Sequence, residues 1–586
     1  MSYADRATRE RRAGLPLPSG KRARTAGAMA ICAFAYLYPF PYQHEVNNPN
    51  ENVRFYMTAA IAEEGTYAID HMRSRWGWTN DAATYGGHFF SVKAPGASLL
   101  GVPGYFLYHQ WCRLRGEAVE QTTAMWVVRV TGSVLPALVF LWFFHRWLSR
   151  RGGSPVVRDA VFLSVAIGSL FYGYGLMFVS HTQSAAAAFT AFALLYEARH
   201  RGRLSHRQAF VAGLSAAGVT ALEYPGFVQT AVLCVYALFC LRPLSRLASF
   251  SAGALIPTAA VLHFHWRAYG NPLTPGHRYL EHAPFREAME EGFFGASTFD
   301  PNAAGSLLFD PAYGLFTLTP VLLLGVLGFF ALARHKHARL DGLFAFLTCF
   351  ALYVLICFMN NWRGGWTIGA RYLASCVPFL AWGAVEALAR LRRAAPRASE
   401  SLALGGLATA LVASGGPSAW YPHLPEAFTR PLPQLMRPLL RHDFAPMNAG
   451  SYLAEQLDLG DFHGTVSMVP LALVFGIALV WAAWPERTGW DRTLVLLGGF
   501  FFGSWFLTPL VLDDGAPGVS NAVAYVTEYW RPAGHDLCAR LEARVAAGTA
   551  TDADLERLRA AYEEEGRVAE ARRVERLVRA GSARVP

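Results

Sequence analysis

Glu51 and Arg54 stand three residues apart in the polar stretch Glu45–Pro95. On a helix that spacing puts a carboxylate and a guanidinium on one face. Beside a cavity, the carboxylate is a general base oriented by the guanidinium; on an interfacial helix the same pair is a surface ion pair. Lys93 follows in Ser91-Val92-Lys93-Ala94-Pro95, where Pro95 keeps Ala94 extended and can open a helix. A lysine just before a helix N-terminus favours an anion such as phosphate, unless it is a boundary lysine reaching for water. Asn361-Trp362-Arg363-Gly364-Gly365-Trp366 leads to Gly369-Ala370-Arg371-Tyr372. The glycines admit close backbone approach, and Arg371 can grip a phosphate through two hydrogen bonds; an interfacial Trp/Arg belt is the other reading. His181, Glu223 and Asp310 mark turns between apolar runs. With Trp366 they are candidates for a sugar or acceptor site, or else solvated turn residues, with Asp310 a helix cap.

These residues need elements to position them, and the composition says which kind. The chain has 586 residues, 53% hydrophobic and 16% charged, with a mean hydropathy of +0.23. Soluble domains carry nearer a quarter charged residues, so an all-α polytopic membrane protein is expected. The formal charge of +10 is no nucleic-acid signal, because the basic residues cluster between apolar runs. The eight cysteines follow no disulfide or zinc spacing, and no metal ligands are assigned.

Cytosolic placement of the basic clusters at 146–158, 199–207, 242–246, 334–339, 390–397 and 487–492 encloses two apolar runs between each consecutive pair. That predicts about thirteen spans, near 25–42, 122–145, 159–178, 182–198, 208–222, 225–241, 247–264, 316–333, 341–358, 373–389, 401–416, 466–484 and 493–511. The N-terminus is then inside and the C-terminus outside. The run 96–112 is short and contains Pro103; crossing there would move every later basic cluster outside, so it is read as interfacial or re-entrant. The first run leads into Tyr and Pro rather than a cleavage site and is read as a retained span. The expected layout is a basic cytosolic tail at 1–24, a transmembrane unit at 25–512 whose outside loop 43–121 carries interfacial helices, and an outside helical tail at 513–586. In that tail, Ala561-Tyr562 with Gly566-Arg567 and Ala569-Glu570-Ala571 looks tetratricopeptide-like, either a partner site or a solvated hairpin.

A first span, a long outside loop with Glu51-x-x-Arg54, the Lys93–Pro95 step and a helical bundle ending at Trp362–Tyr372 together resemble C-type membrane glycosyltransferases. The similarity is to the bacterial branch related to protein mannosyltransferases and the lipid A aminoarabinose transferase, and covers roughly residues 25–400. It implies Glu51 as catalytic base and Arg54, Lys93 and Arg371 on the phosphate of a polyprenyl-phosphate-linked sugar donor. Relatives often carry a second acidic residue where this chain has Ser180-His181-Thr182. That leaves a divalent cation open, with Asp70, Asp81 or Glu223 as substitutes for the acid.

The expected activity is sugar transfer to an acceptor, with inversion, in the cell envelope at the outer face of the plasma (bacterial inner) membrane. A lipid donor explains the bundle: its tail stays in hydrocarbon while its head reaches water. A multipass transporter or lipid flippase is the main alternative, and a scaffold recruiting protein partners through the tail is another. Against transport, the apolar runs hold few ionisable residues and no inverted repeat.

Overall fold

Helix forms at every one of the thirteen apolar runs. The computed structural model describes residues 19–40, 48–151, 153–202, 204–292, 295–441, 443–457, 462–484, 489–515, 537–546, 548, 550–564 and 567–582. The first helix, α1 (Ser19–Leu37), starts ahead of the expected boundary at 25. Arg24 lies inside it, held by Asp159 at 2.5 Å, so the end of the expected basic tail is helix; residues 1–18 lie outside the described residues.

The first loop holds most of the surprises. Helix α2 (Pro49–Glu64) is opened by Asn48, whose side chain accepts from the Asn50 N–H, with Pro49 in the first turn. It closes on Gly65 at φ 66°. After α3 (Asp70–Trp76) comes a two-stranded antiparallel hairpin, β1 (Ala82–Tyr85) and β2 (His88–Ser91), paired Ala82 to Ser91 and Tyr85 to His88. The described residues are otherwise mostly helical, as expected, and this hairpin is the one sheet among them. Gly86 and Gly87, at φ 60° and 84°, supply the tight turn that a two-residue hairpin demands.

The run 96–112 forms α4 (Gly96–Arg115), a 20-residue helix containing Pro103. One face packs on α2, where the Thr58 hydroxyl donates to the Ser98 carbonyl and the Ser98 hydroxyl to that of Arg54. Leu100, Leu107, Trp111 and Leu114 form an exposed stripe at i, i+7, i+11 and i+14.

The bundle follows as α5 (Gln121–Arg150), α6 (Pro155–Gly168), α7 (Leu170–Gly175), α8 (His181–Arg201), α9 (His206–Leu222), α10 (Tyr224–Cys240) and α11 (Leu244–Tyr269). After the loop helices α12 (Ala283–Glu290) and α13 (Pro301–Phe309) it resumes with α14 (Pro320–Ala333), α15 (Arg339–Cys357), α16 (Arg371–Ala394) and α17 (Pro396–Trp420). Helix α18 (Ala449–Gln456) precedes α19 (Gly464–Ala483) and α20 (Gly489–Val511). Seven of these, α5, α11, α15, α16, α17, α19 and α20, are long and apolar enough to cross a membrane. One core runs through α1, α5–α11, α13–α17, α19 and α20; a second, around Phe55, Tyr56, Met57 and Tyr105, fixes the first loop.

The tail forms α21 (Leu537–Ala546), α22 (Asp552–Glu564) and α23 (Val568–Ser582) around Leu541, Leu558, Tyr562 and Val574. Thr551 caps α22 reciprocally with Asp554, and Gly548 takes φ 67°.

Candidate active site

Three short segments bring the charges together. The hairpin returns the chain so that the Val92 N–H donates to the Asp81 carbonyl at 3.3 Å. Asp81 and Lys93, at the two open ends of the strands, therefore meet, with Asp81 Oδ2 3.0 Å from Lys93 Nζ. Arg54, on the buried face of α2, donates to the Ser180 hydroxyl at 2.8 Å and to Glu223 at 3.1 Å. Arg371 opens α16 against Gly364, where a Cβ would lie 2.5 Å from Arg371 Nε. Gly364 and Gly365 also hold φ of 78° and 85°, so glycine is needed there for conformation and for space.

Arg54, Lys93 and Arg371 all line one cavity of about 330 Å3. Asn50, His181, Glu223, Tyr224, His265 and His277 add polar lining. Phe227, Val261, Leu262 and Leu273, from α10, α11 and the loop after them, add apolar lining. Phe227 is 42% and Leu262 36% exposed, so part of that lining lies on outer faces of apolar helices.

The electrostatics distinguish the three cations. Arg54 is matched by Glu223 and Lys93 by Asp81. Arg371 forms no ion pair with a carboxylate among the described residues; its Nη2 donates to the Tyr372 hydroxyl at 3.2 Å, and its buried Nε has no partner. Burial pushes the Asp81 carboxyl up, but Lys93, then Arg371 and Arg54, hold it below the usual range. Burial likewise opposes ionisation of Glu223, and His181, Arg54, the Ser180 hydroxyl and Arg371 hold its carboxyl low. Tyr224 bonds His265 Nε2 at 2.7 Å while His265 Nδ1 faces the Pro272 carbonyl at 3.1 Å, which fixes one wall.

The five expected site residues besides the cations fall in different places. His181 and Glu223 do line the cavity, 3.5 Å apart. Glu51 does not. It follows Asn50 by one residue, about 100° around the helix, so Asn50 faces the cavity and Glu51 faces the bundle. There the Arg129 guanidinium binds both its oxygens, at 2.9 and 2.7 Å, and the Phe178 N–H donates at 2.6 Å. Glu51 is fully buried, and Arg129 overcomes the cost of burial to keep the carboxyl below its ordinary value. Asp310 caps a turn, accepting the N–H groups of Ala312 and Tyr313 at 2.8 and 2.9 Å. Trp366 is turned outward after the two positive-φ glycines, is 39% exposed and is not part of the cavity wall.

Sequence reasoning missed Arg129, His423, Asn50, His265 and His277. Arg129 carried a legible signal, as a lone arginine in an apolar run, where a charge needs a partner. His423 comes from a loop far along the chain, and nothing local marks it; its Nε2 sits 3.9 Å from Glu51. Among the described residues, no group of three His, Cys, Asp or Glu side chains is placed to hold a metal ion.

Fold and site together describe a helical bundle rich in apolar helices, with a cavity lined by three cations and by apolar side chains. No family model matches the chain, and no curated protein matches it. Among solved structures it is similar to ArnT from Cupriavidus metallidurans in the apo state, at 15% identity and TM-score 0.43, covering 86% of this chain and 78% of that one. The same protein bound to undecaprenyl phosphate gives 14% identity and TM-score 0.41, covering 86% and 79%. The archaeal oligosaccharyltransferase AglB from Archaeoglobus fulgidus, in complex with an inhibitory peptide and a dolichol-phosphate, gives 11% and 0.38, covering 75% and 59%.

Proposed function

We propose that this protein is a membrane glycosyltransferase that moves a sugar from a polyprenyl-phosphate-linked donor to an acceptor at the outer face of the membrane. The bundle then crosses about thirteen times, N-terminus inside, with α4 lying in the interface. One observation carries the reading: Arg54, Lys93 and Arg371 line one cavity together with apolar side chains, of which Phe227 and Leu262 are partly exposed. A phosphate with a hydrocarbon tail suits both kinds of lining, its head among cations and its tail in lipid.

In the reaction, the acceptor oxygen forms a bond to the anomeric carbon as the bond from that carbon to the phosphate oxygen breaks. Arg371, Lys93 and Arg54 meet the charge that develops on the departing phosphate. The acceptor's proton passes to a carboxylate in the cavity. Glu223 is the one placed for this, in preference to Glu51, whose oxygens are occupied by Arg129 and the Phe178 N–H. A single displacement inverts the anomeric centre.

The test is binding of the purified, detergent-solubilised protein to a polyprenyl phosphate. Wild type should bind saturably, and Lys93→Ala and Arg371→Ala should each weaken binding by about tenfold or more, the size of a lost charge-assisted hydrogen bond. Absent binding, or binding equal in all three proteins, sinks the proposal in favour of transport.

A further inference from the structure

The far ends of α5 and α8 hold a second group of cations, which the cavity does not use. Arg146 and Arg150 in the last turns of α5, Arg151 just after it and Arg201 at the end of α8 gather around one carboxylate, Glu197. Glu197 takes Arg151 at 2.9 Å and Arg201 at 2.8 Å, and Arg150 lies within electrostatic reach of Glu197 and of the other three arginines. Arg158 and Arg199, from the same two basic clusters of the sequence, are already matched, by Asp159 and Asp341, each at 2.7 Å. Four positive charges therefore stand against one negative charge. Among the described residues Arg146 and Arg150 have no carboxylate partner and donate no hydrogen bond, and the buried Nε of Arg150 is left unsatisfied. Guanidinium groups gathered this closely repel one another, and unsatisfied buried donors are costly, so the group is short of an anion.

The surroundings say which anion. Leu135, Val139 and Trp142 are exposed on α5 at i, i+4 and i+7, and Arg146 and Arg150 continue that face at i+11 and i+15. The Arg146 guanidinium lies 4.5 Å over the Trp142 ring, so an apolar stripe ends in an aromatic ring and then a cation, the order of groups met on passing from hydrocarbon to headgroups. Arg151, over the Trp147 ring at 3.1 Å, is held fixed behind them. Helix α8 runs for 21 residues, about 30 Å, from His181 in the cavity wall to Arg201, and about 30 Å is the thickness of a bilayer's hydrocarbon. We infer that Arg146 and Arg150, backed by Arg151 and Arg201, bind the phosphate of an anionic phospholipid in the leaflet opposite the cavity, its acyl chain lying along Leu135, Val139 and Trp142. A zwitterionic lipid brings its own cation and does not relieve the excess of charge. The inference needs the bundle to span a bilayer, as proposed above, but not the identity of the donor.

The experiment follows the melting temperature of the detergent-solubilised full chain as phosphatidylglycerol or phosphatidylcholine is added, since a lipid that binds only the folded chain raises it by mass action. Phosphatidylglycerol should raise it saturably and phosphatidylcholine should not. Arg146→Gln with Arg150→Gln should weaken the apparent affinity for phosphatidylglycerol by about tenfold or more. Arg146→Lys with Arg150→Lys should keep most of that affinity, which guards against a variant that merely folds badly. Lys336→Gln with Arg339→Gln removes as much charge from the exposed turn between α14 and α15 and should leave the affinity unchanged. Equal responses to the two lipids, an unchanged affinity in the double glutamine variant, or an equal loss in the Lys336 and Arg339 variant overturns the site. Inorganic phosphate reproducing the whole shift overturns the lipid as its occupant. A wild type that responds to phosphatidylglycerol but binds no polyprenyl phosphate keeps this site and sinks the transferase reading, so the two fail separately.

Discussion

Two glutamates in this protein have opposite surroundings, and their substitutions should separate cleanly. Glu223 faces the cavity, so Glu223→Gln should cut sugar transfer by about 10²- to 10⁴-fold, the usual worth of a general base, with polyprenyl phosphate binding retained. Glu51 is instead one half of a buried ion pair tying α2 to α5. Glu51→Gln leaves Arg129 uncompensated and should cost roughly 3–5 kcal/mol of stability, read as a lowered melting temperature in detergent. Adding Arg129→Gln should return part of that loss, which a catalytic role for Glu51 does not predict. The buried histidines give a pH signature. His277 is pushed down to about 4 by burial and by Lys93, and His423 to about 4 by burial, with Arg129 adding to it against the pull of Glu51. Unfolding frees both to bind protons near their ordinary value of about 6.5, so stability is full above that pH and falls as pH drops from about 6.5 towards 4. His423→Asn should lessen the fall in melting temperature across that window, His277 supplying the rest; a slope identical to wild type removes His423 from the account.

Among the elements, α14 and α16 pack backbone to backbone. A Cβ on Gly328 would lie 1.9 Å from the Gly383 carbonyl oxygen, and one on Gly325 2.2 Å from that of Leu380. Backbone cannot yield as a side-chain tip can, so the helices must separate if either glycine gains a side chain. Because α16 carries Arg371 at its start, Gly328→Val should lower both the melting temperature and the affinity for polyprenyl phosphate, whereas Gly20→Val, with nothing within 4 Å of its Cβ, should leave both unchanged. The exposed stripe Leu100, Leu107, Trp111 and Leu114 on α4 is what an interfacial helix presents to lipid, while the buried face braces the α2 turn that carries Arg54.

At the scale of the whole molecule, α21–α23 have a core of their own, so a chain ending at Gly515 should fold and bind polyprenyl phosphate as the full chain does. The end point matters. Asp513 and Asp514 accept from the Gln434 amide, and Asp514 also accepts from the Thr429 hydroxyl, so cutting before them opens the loop 421–448. Loss of binding in the shorter chain would assign the tail to the site.

The sequence by itself determined where the helices are, because apolar runs punctuated by arginine clusters leave little other structure open to a chain with so few charges. It also singled out Arg54, Lys93 and Arg371 by type and local turn chemistry, and the three line one cavity. Choosing between the glutamates lay beyond it. Glu51 and Asn50 differ by one step around a helix, and only the packing of α2 against Arg129 says which of them faces inward. Glu223, 172 positions downstream, reaches the cavity because α9 ends beside α2, and the Asp81–Lys93 pair exists because a two-glycine turn folds the first loop back on itself. Spacing along a chain fixes what a residue can do, while the register of elements distant in sequence decides what it meets.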